Sequence, residues 1–168
     1  MDARSLPRSS SVKSFNAWTA EVISLVQRVS RARVEVAGQE IGAINQGLLV
    51  FVCAEPADTD AIADKLVAKL LKLRVFSDDA GKMNRSVVDV QGGLLIVSQF
   101  TLAADTSAGN RPSFTGAASA ELGRRLYERL LTTARAQHPV VASGEFGADM
   151  QVHLVNNGPV TIPITLRS

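Results

Sequence analysis

Two short stretches of this chain carry residues suited to chemistry. The first is Asn156-Asn157-Gly158-Pro159-Val160-Thr161, between the strand-like runs Met150 to Val155 and Val160 to Leu166. Asn-Asn-Gly predicts a hairpin turn, because Asn and Gly accept positive φ at little cost. A hairpin does not ask for the proline that follows, which removes an amide donor and fixes φ. Gly-Pro also has an accessible cis form, since the tertiary amide cuts the trans preference to roughly 0.5–1 kcal/mol. An ordinary trans turn is the competing reading. The second stretch, Ser98-Gln99-Phe100-Thr101-Leu102, ends the apolar run Leu94-Leu95-Ile96-Val97 and opens onto a polar loop, residues 103–112. Polar groups at the mouth of a buried strand commonly build sites. Ser98 and Thr101 could equally bond the local backbone.

A serine or threonine nucleophile needs a base and a donor for the oxyanion. Only two histidines are present. His138 adjoins a helix-ending proline, and His153 alternates out of phase with Val152 and Leu154, so it should face water or a partner. There is no Gly-x-Ser-x-Gly elbow, no phosphate-binding glycine loop and no Cys/His/Asp grouping with metal spacing. Arg28 is more informative. On an alternating strand it shares a face with Val22, Ser24 and Val26, so either it anchors acceptors such as a backbone turn or the strand has already ended there.

The elements that must position these residues follow from periodicity. Residues 1–20 are rich in Ser and Arg, contain only Asp2 as an acid and read as an extension outside one domain spanning 21–168; a transit peptide shares that composition. Val22 to Val29, Arg33 to Val36, Glu40 to Ile44 and Leu48 to Ala54 read as strands, with Ala37-Gly38 as a hairpin turn. Asp58 or Thr59 caps a helix whose stripe is Ile62, Leu66, Leu70 and Leu73, with Lys65, Lys69 and Lys72 on its solvated side. A second helix begins at Ser119 and stops before Pro139. The fold class is therefore a layered α/β domain: two mixed, mostly antiparallel, barrel-like sheets with two main helices packed on one side. A chain of 168 residues, 46% of them apolar, suffices for one core. A net charge of +2 tolerates an RNA partner without requiring one. The single cysteine, Cys53, lies in an apolar run and reads as a buried thiol. No apolar run is long enough to span a membrane, so a soluble, cytoplasmic protein is expected.

Six fragments, in order, resemble the D-aminoacyl-tRNA deacylase family: Gln27 to Ala32, Gly81-Lys82-Met83-Asn84, Ser98 to Leu102, Asn110 to Phe114, Phe146 to Val152 and Asn156 to Thr161. The resemblance implies a homodimer that hydrolyses the ester between a D-amino acid and the terminal adenosine of tRNA, using the substrate's own ribose 2′-hydroxyl and no metal or cofactor. It implies that the Gly158-Pro159 bond is cis and enters the partner subunit's active site, rejecting L substrates, with Asn156 in the same loop and Arg28 holding it. Ser98, Gln99, Phe100 and Thr101 would surround the ester, and Phe146 and Met150 would line the adenosine pocket. The extension and His153 depart from the family pattern. Two other classes fit the same residues: a small-ester hydrolase using Ser98 or Thr101, and a non-catalytic module that binds the tRNA 3′ end.

Overall fold

The structure, a computed structural model, describes residues 21–167. The reading of residues 1–20 as an extension lies outside the described residues. The chain runs β1 (Glu21–Val36), β2 (Gln39–Ile44), β3 (Gly47–Cys53), α1 (Asp60–Lys72), β4 (Phe76–Ser77), β5 (Met83–Arg85), β6 (Gly93–Ser98), a 3₁₀ turn (Phe100–Ala103), α2 (Ala120–Gln137), β7 (Val141–Ser143) and β8 (Met150–Arg167).

The main sheet has the order β2-β1-β3-β6-β7, and β8 pairs antiparallel with β1 along nearly its whole length. One half of β1 pairs with β3 and the other with β2. β3 and β6 are parallel, as are β6 and β7, and a parallel pair needs a crossover. The two main helices lie within these two crossovers, which is why both cover the same face of the sheet. β2 curls toward β7: a Cβ on Gly42 would collide with the Ser143 carbonyl, so the sheet approaches a barrel. β4 and β5 form a separate two-stranded sheet.

Successive residues of β3 and β6 feed two cores. Leu48, Val50, Leu94 and Ile96 pack with Leu66, Leu70 and Leu130 of the helices. Leu49, Leu95 and Val97 face the other way, against Val29, Val34 and half-buried Met150, Val152 and Leu154. This two-sided burial explains why Leu48 to Cys53 is uniformly apolar. Only the second helix starts at the side-chain cap expected of it; neither Asp58 nor Thr59 caps the first. Ser119 accepts the Leu122 amide at 3.2 Å, whereas Thr59 precedes α1 without a side-chain cap and Asp58 instead takes the Glu55 amide at 2.7 Å. Arg125 with Asp60, and Arg129 with Asp64, link the two helices.

The structure corrects the sequence reading at three further places. β1 is one continuous strand where two were expected. Asn156 to Gly158 is not a hairpin turn, because β8 passes through the segment without reversing. Short strands β4, β5 and β7 form where no element was expected; two or three residues carry too little periodicity to be seen.

Candidate active site

β6 delivers Ser98 to the edge of a cavity of about 550 Å³. The Gln99 amide still donates to the Val52 carbonyl at 2.8 Å, continuing the β3–β6 ladder, and the chain then winds into the 3₁₀ turn. A helical turn leaves its first amides free. Those of Phe100 and Thr101 have no hydrogen-bond partner among the described residues. The Phe100 ring is 57% exposed and meets Phe114 edge to face, with centroids 5.1 Å apart. Phe114 belongs to the loop that follows, so this contact ties that loop to the turn. The Thr101 hydroxyl accepts the Gln99 side-chain amide.

The rest of the cavity is largely apolar. Val52, Ile62, Ala63 and Leu130 form part of its lining, with Ala118, Phe146 and Met150. Cys53 also lines it, and burial pushes its thiol pKa up to about 11, so the group is protonated at neutral pH. Burial raises the Asp58 carboxyl as well, and holds the Tyr127 hydroxyl up at about 12 while that hydroxyl donates to the Ile96 carbonyl at 2.8 Å. Neither Cys53 nor Tyr127 is an ionised nucleophile or base near pH 7. Phe146 lies against α2 at Gly123, where a Cβ would come within 3.4 Å of the ring. The volume and these apolar walls suit a nucleoside-sized ligand.

A second group forms where β8 passes β1. Gln27 pairs with Thr161 and Val29 with Asn156, so the four residues Asn157 to Val160 stand opposite the single residue Arg28. The surplus chain bulges out, and Asn157, Gly158 and Pro159 are all exposed where the strand otherwise alternates. The Gly158–Pro159 peptide is cis and Gly158 has φ +140°. Arg28 fills the gap: Nε donates to the Asn157 carbonyl at 3.0 Å and Nη1 to the Val75 carbonyl at 2.6 Å. Asn156 closes the base of the bulge, accepting the Val160 amide at 3.1 Å and donating to Thr161 Oγ1 at 2.9 Å. Gln27 donates to the same hydroxyl at 3.1 Å. Of the two readings of Arg28, anchoring of a backbone loop is the one observed.

The sequence-derived residues thus fall into two groups within one chain. Ser98, Gln99, Phe100, Phe146 and Met150 line the cavity, and Thr101 adjoins them on the turn. Arg28, Asn156, Gly158 and Pro159 gather elsewhere. Arg28 lies level with Leu48 of β3 and Leu94 of β6, whereas Ser98 is four residues further along β6, about 13 Å at the usual rise per residue. Neither histidine serves the cavity. His138 is buried at the opposite end of β6, its Nε2 2.7 Å from the Gly92 carbonyl. His153 is half-exposed on β8, 3.3 Å from Glu35. Sequence reasoning missed Val75 and Gly123, which act through a backbone carbonyl and through the lack of a side chain; Thr161 was named as the end of the hexapeptide, without its role as acceptor for Gln27 and Asn156.

A family model described as D-Tyr-tRNA(Tyr) deacylase matches residues 25–165. The chain belongs to that family. It is 74% identical over 145 residues to a D-aminoacyl-tRNA deacylase of Methylibium petroleiphilum, covering 86% of this chain and 95% of that relative. It is 68% identical to one of Variovorax paradoxus, covering 85% and 98%. Among solved structures, the c-Myc DNA unwinding element binding protein superposes with a TM-score of 0.80 at 41% identity, over 84% of this chain and 97% of that one. A probable eukaryotic D-amino acid tRNA deacylase shares the fold, with a TM-score of 0.79 at 16% identity, over 87% and 100%. As a family member the chain is a D-aminoacyl-tRNA deacylase, a hydrolase of the ester bond in aminoacyl-tRNA. The deacylase fold accounts for the mixed sheet and for both helices on one face.

Proposed function

We propose that this deacylase acts as a cytoplasmic homodimer, in which the cavity of one subunit takes the 3′-terminal adenosine of a D-aminoacyl-tRNA and the Asn157–Pro159 bulge of the other completes the site. One observation carries this reading. The bulge is exposed, yet rigidly tied to Arg28 and Asn156, and in its own chain it lies well away from Ser98 and the turn. A loop held so firmly at its base, with Asn157, Gly158 and Pro159 exposed, fits insertion into a second copy. Its backbone would then stand where the side chain of an L-amino acid projects, and a D-amino acid would turn its side chain aside. Rejection of the L form is steric, and needs no side chain that recognises one amino acid.

The chemistry rests on backbone groups. The free amides of Phe100 and Thr101 stabilise the oxyanion that forms as the ester carbonyl is attacked. The attacking oxygen is that of a water molecule activated by the substrate's ribose 2′-hydroxyl; it adds to the ester carbonyl carbon, and the intermediate collapses by breaking the bond to the ribose 3′-oxygen, which leaves with a proton as the terminal hydroxyl while the amino acid leaves as its carboxylate. Neither Ser98 nor Thr101 has a histidine within reach, and Thr101 is already bonded to Gln99, so neither hydroxyl is activated as a nucleophile. Holding an already labile ester in register supplies the remaining acceleration.

Single-turnover hydrolysis of matched D- and L-tyrosyl-tRNA tests the function: the D ester should be cleaved and the L ester spared. A D-tyrosyl-tRNA ending in 2′-deoxyadenosine should resist cleavage. Rapid cleavage of that substrate would instead favour the small-ester hydrolase with its own nucleophile, and binding without cleavage of any ester would favour the tRNA-end binding module.

A further inference from the structure

Arg124 belongs neither to the turn at Phe100 nor to the bulge at Gly158. It is exposed on α2, four residues after Ala120, which lines the cavity, and its guanidinium carbon lies 4.8 Å from the centroid of the Phe146 ring on the cavity wall. Two neighbouring arginines of the helix are neutralised, Arg125 by Asp60 and Arg129 by Asp64. Arg124 has no carboxylate partner among the described residues. An aromatic face fixes the position of a guanidinium and leaves its N–H edges free to bond outward. Of the two acids that line the cavity, Asp58 is buried and Asp149 exposed, so the mouth carries one acid and, beside it, one ring-held cation.

A nucleoside that enters this cavity as the end of an RNA brings one obligatory charge with it, the phosphodiester on its 5′ side. We propose that Arg124 is a positioning residue for that phosphate, bonding the group that joins the terminal adenosine to the preceding nucleotide. The planar fork of arginine matches two phosphate oxygens. Such a contact fixes the register of the strand without reading a base. The inference rests on the cavity being the adenosine site. It adds that the enzyme recognises the end of a nucleic acid chain and not an aminoacyl nucleoside alone.

The test compares wild type, Arg124→Gln and Arg124→Lys on two substrates: D-tyrosyl-tRNA, and 3′-O-D-tyrosyl-adenosine, which has no phosphate. For Arg124→Gln, KM on the tRNA should rise about fivefold with kcat unchanged, as for an exposed charge pair with good geometry. KM on the adenosine ester should not move. The slope of log KM against log salt should fall by about one for the tRNA, and Arg124→Lys should keep the salt slope while recovering part of the affinity. Equal losses on both substrates would show that Arg124 acts only by packing Phe146, and would overturn the proposal, as would no change on either. Failure of wild type to cleave either ester would instead remove the deacylase reading on which the proposal stands.

Discussion

At the scale of single residues, Arg28 decides more than any side chain in the cavity. It gives two charge-assisted bonds to carbonyls that no other described side chain satisfies, and it occupies the space left by four residues facing one. Arg28→Ala should lower single-turnover cleavage of D-tyrosyl-tRNA by about tenfold or more, since hydrogen bonds from a charged group are each worth about 1.5–3 kcal/mol. Arg28→Lys should not rescue it, because an ammonium cannot reach two divergent acceptors as a fork does. Thr101→Ala should keep cleavage within about threefold of wild type, since its hydroxyl is hydrogen-bonded to a side chain and no base addresses it. Complete loss of activity in a folded Thr101→Ala protein would restore the nucleophile reading. Cys53 gives a pH prediction whose sign is fixed by its burial. Its folded pKa of about 11 exceeds the ordinary thiol value, so the protonated form is favoured by folding. The stabilisation it confers is whole below the unfolded pKa and is lost as pH rises from there through the folded value. Iodoacetamide labelling of the native protein at pH 8 should therefore be slow, and become fast in denaturant.

At the scale of elements, the bulge shows how far a local reading goes. Asn156, Asn157, Gly158 and Pro159 are turn formers, and taken alone they predict a hairpin. The structure keeps the strand running because β1 continues as a partner on both sides of the surplus residues, and a register shift absorbs them. That partner lies more than a hundred residues away in sequence, so no window around Asn156 contains the information. Arg28 was readable because its strand phase put a charge on an apolar face, which needs a local partner wherever the chain goes. The floor of the cavity was legible for the same kind of reason: Leu94 to Val97 is apolar on both faces and ends in polar residues. The wall at Phe146 was legible only through the family resemblance and not from periodicity, since Phe146 reaches the cavity by packing on Gly123. Gly158→Ala tests the bulge directly. With φ at +140°, an added Cβ would lie 2.8 Å from Val160 Cγ2 and 3.1 Å from Arg28 Nη2. It should cost about 1–3 kcal/mol in urea unfolding and abolish most activity. Gly47→Ala should be worse for folding and uninformative about function, because its Cβ would strike the Gly93 backbone where β3 and β6 meet.

At the scale of the whole molecule, the layout separates two jobs. The helices and the central strands build a cavity whose apolar walls belong to the main core. The β1–β8 ribbon carries an exposed bulge braced by Arg28, away from that cavity. No helix among the described residues is long and apolar enough to cross a membrane. In the proposed assembly a second copy joins bulge to cavity, and an isologous dimer would do so twice, once for each site. The most direct measurement is complementation in a mixed dimer. One variant, Ala118→Phe, fills the cavity and leaves the bulge intact; the other, Gly158→Ala, spoils the bulge and leaves the cavity intact. Each is purified as an inactive homodimer with native circular dichroism, and the two are then co-expressed with different tags and the mixed dimer isolated. If the site is built from two subunits, one of its two sites pairs an intact cavity with an intact bulge, and about half of the wild-type D-tyrosyl-tRNA cleavage should return, still with L-tyrosyl-tRNA spared. A mixed dimer as inactive as its parents would place the bulge and the cavity in one chain's own site and contradict the account.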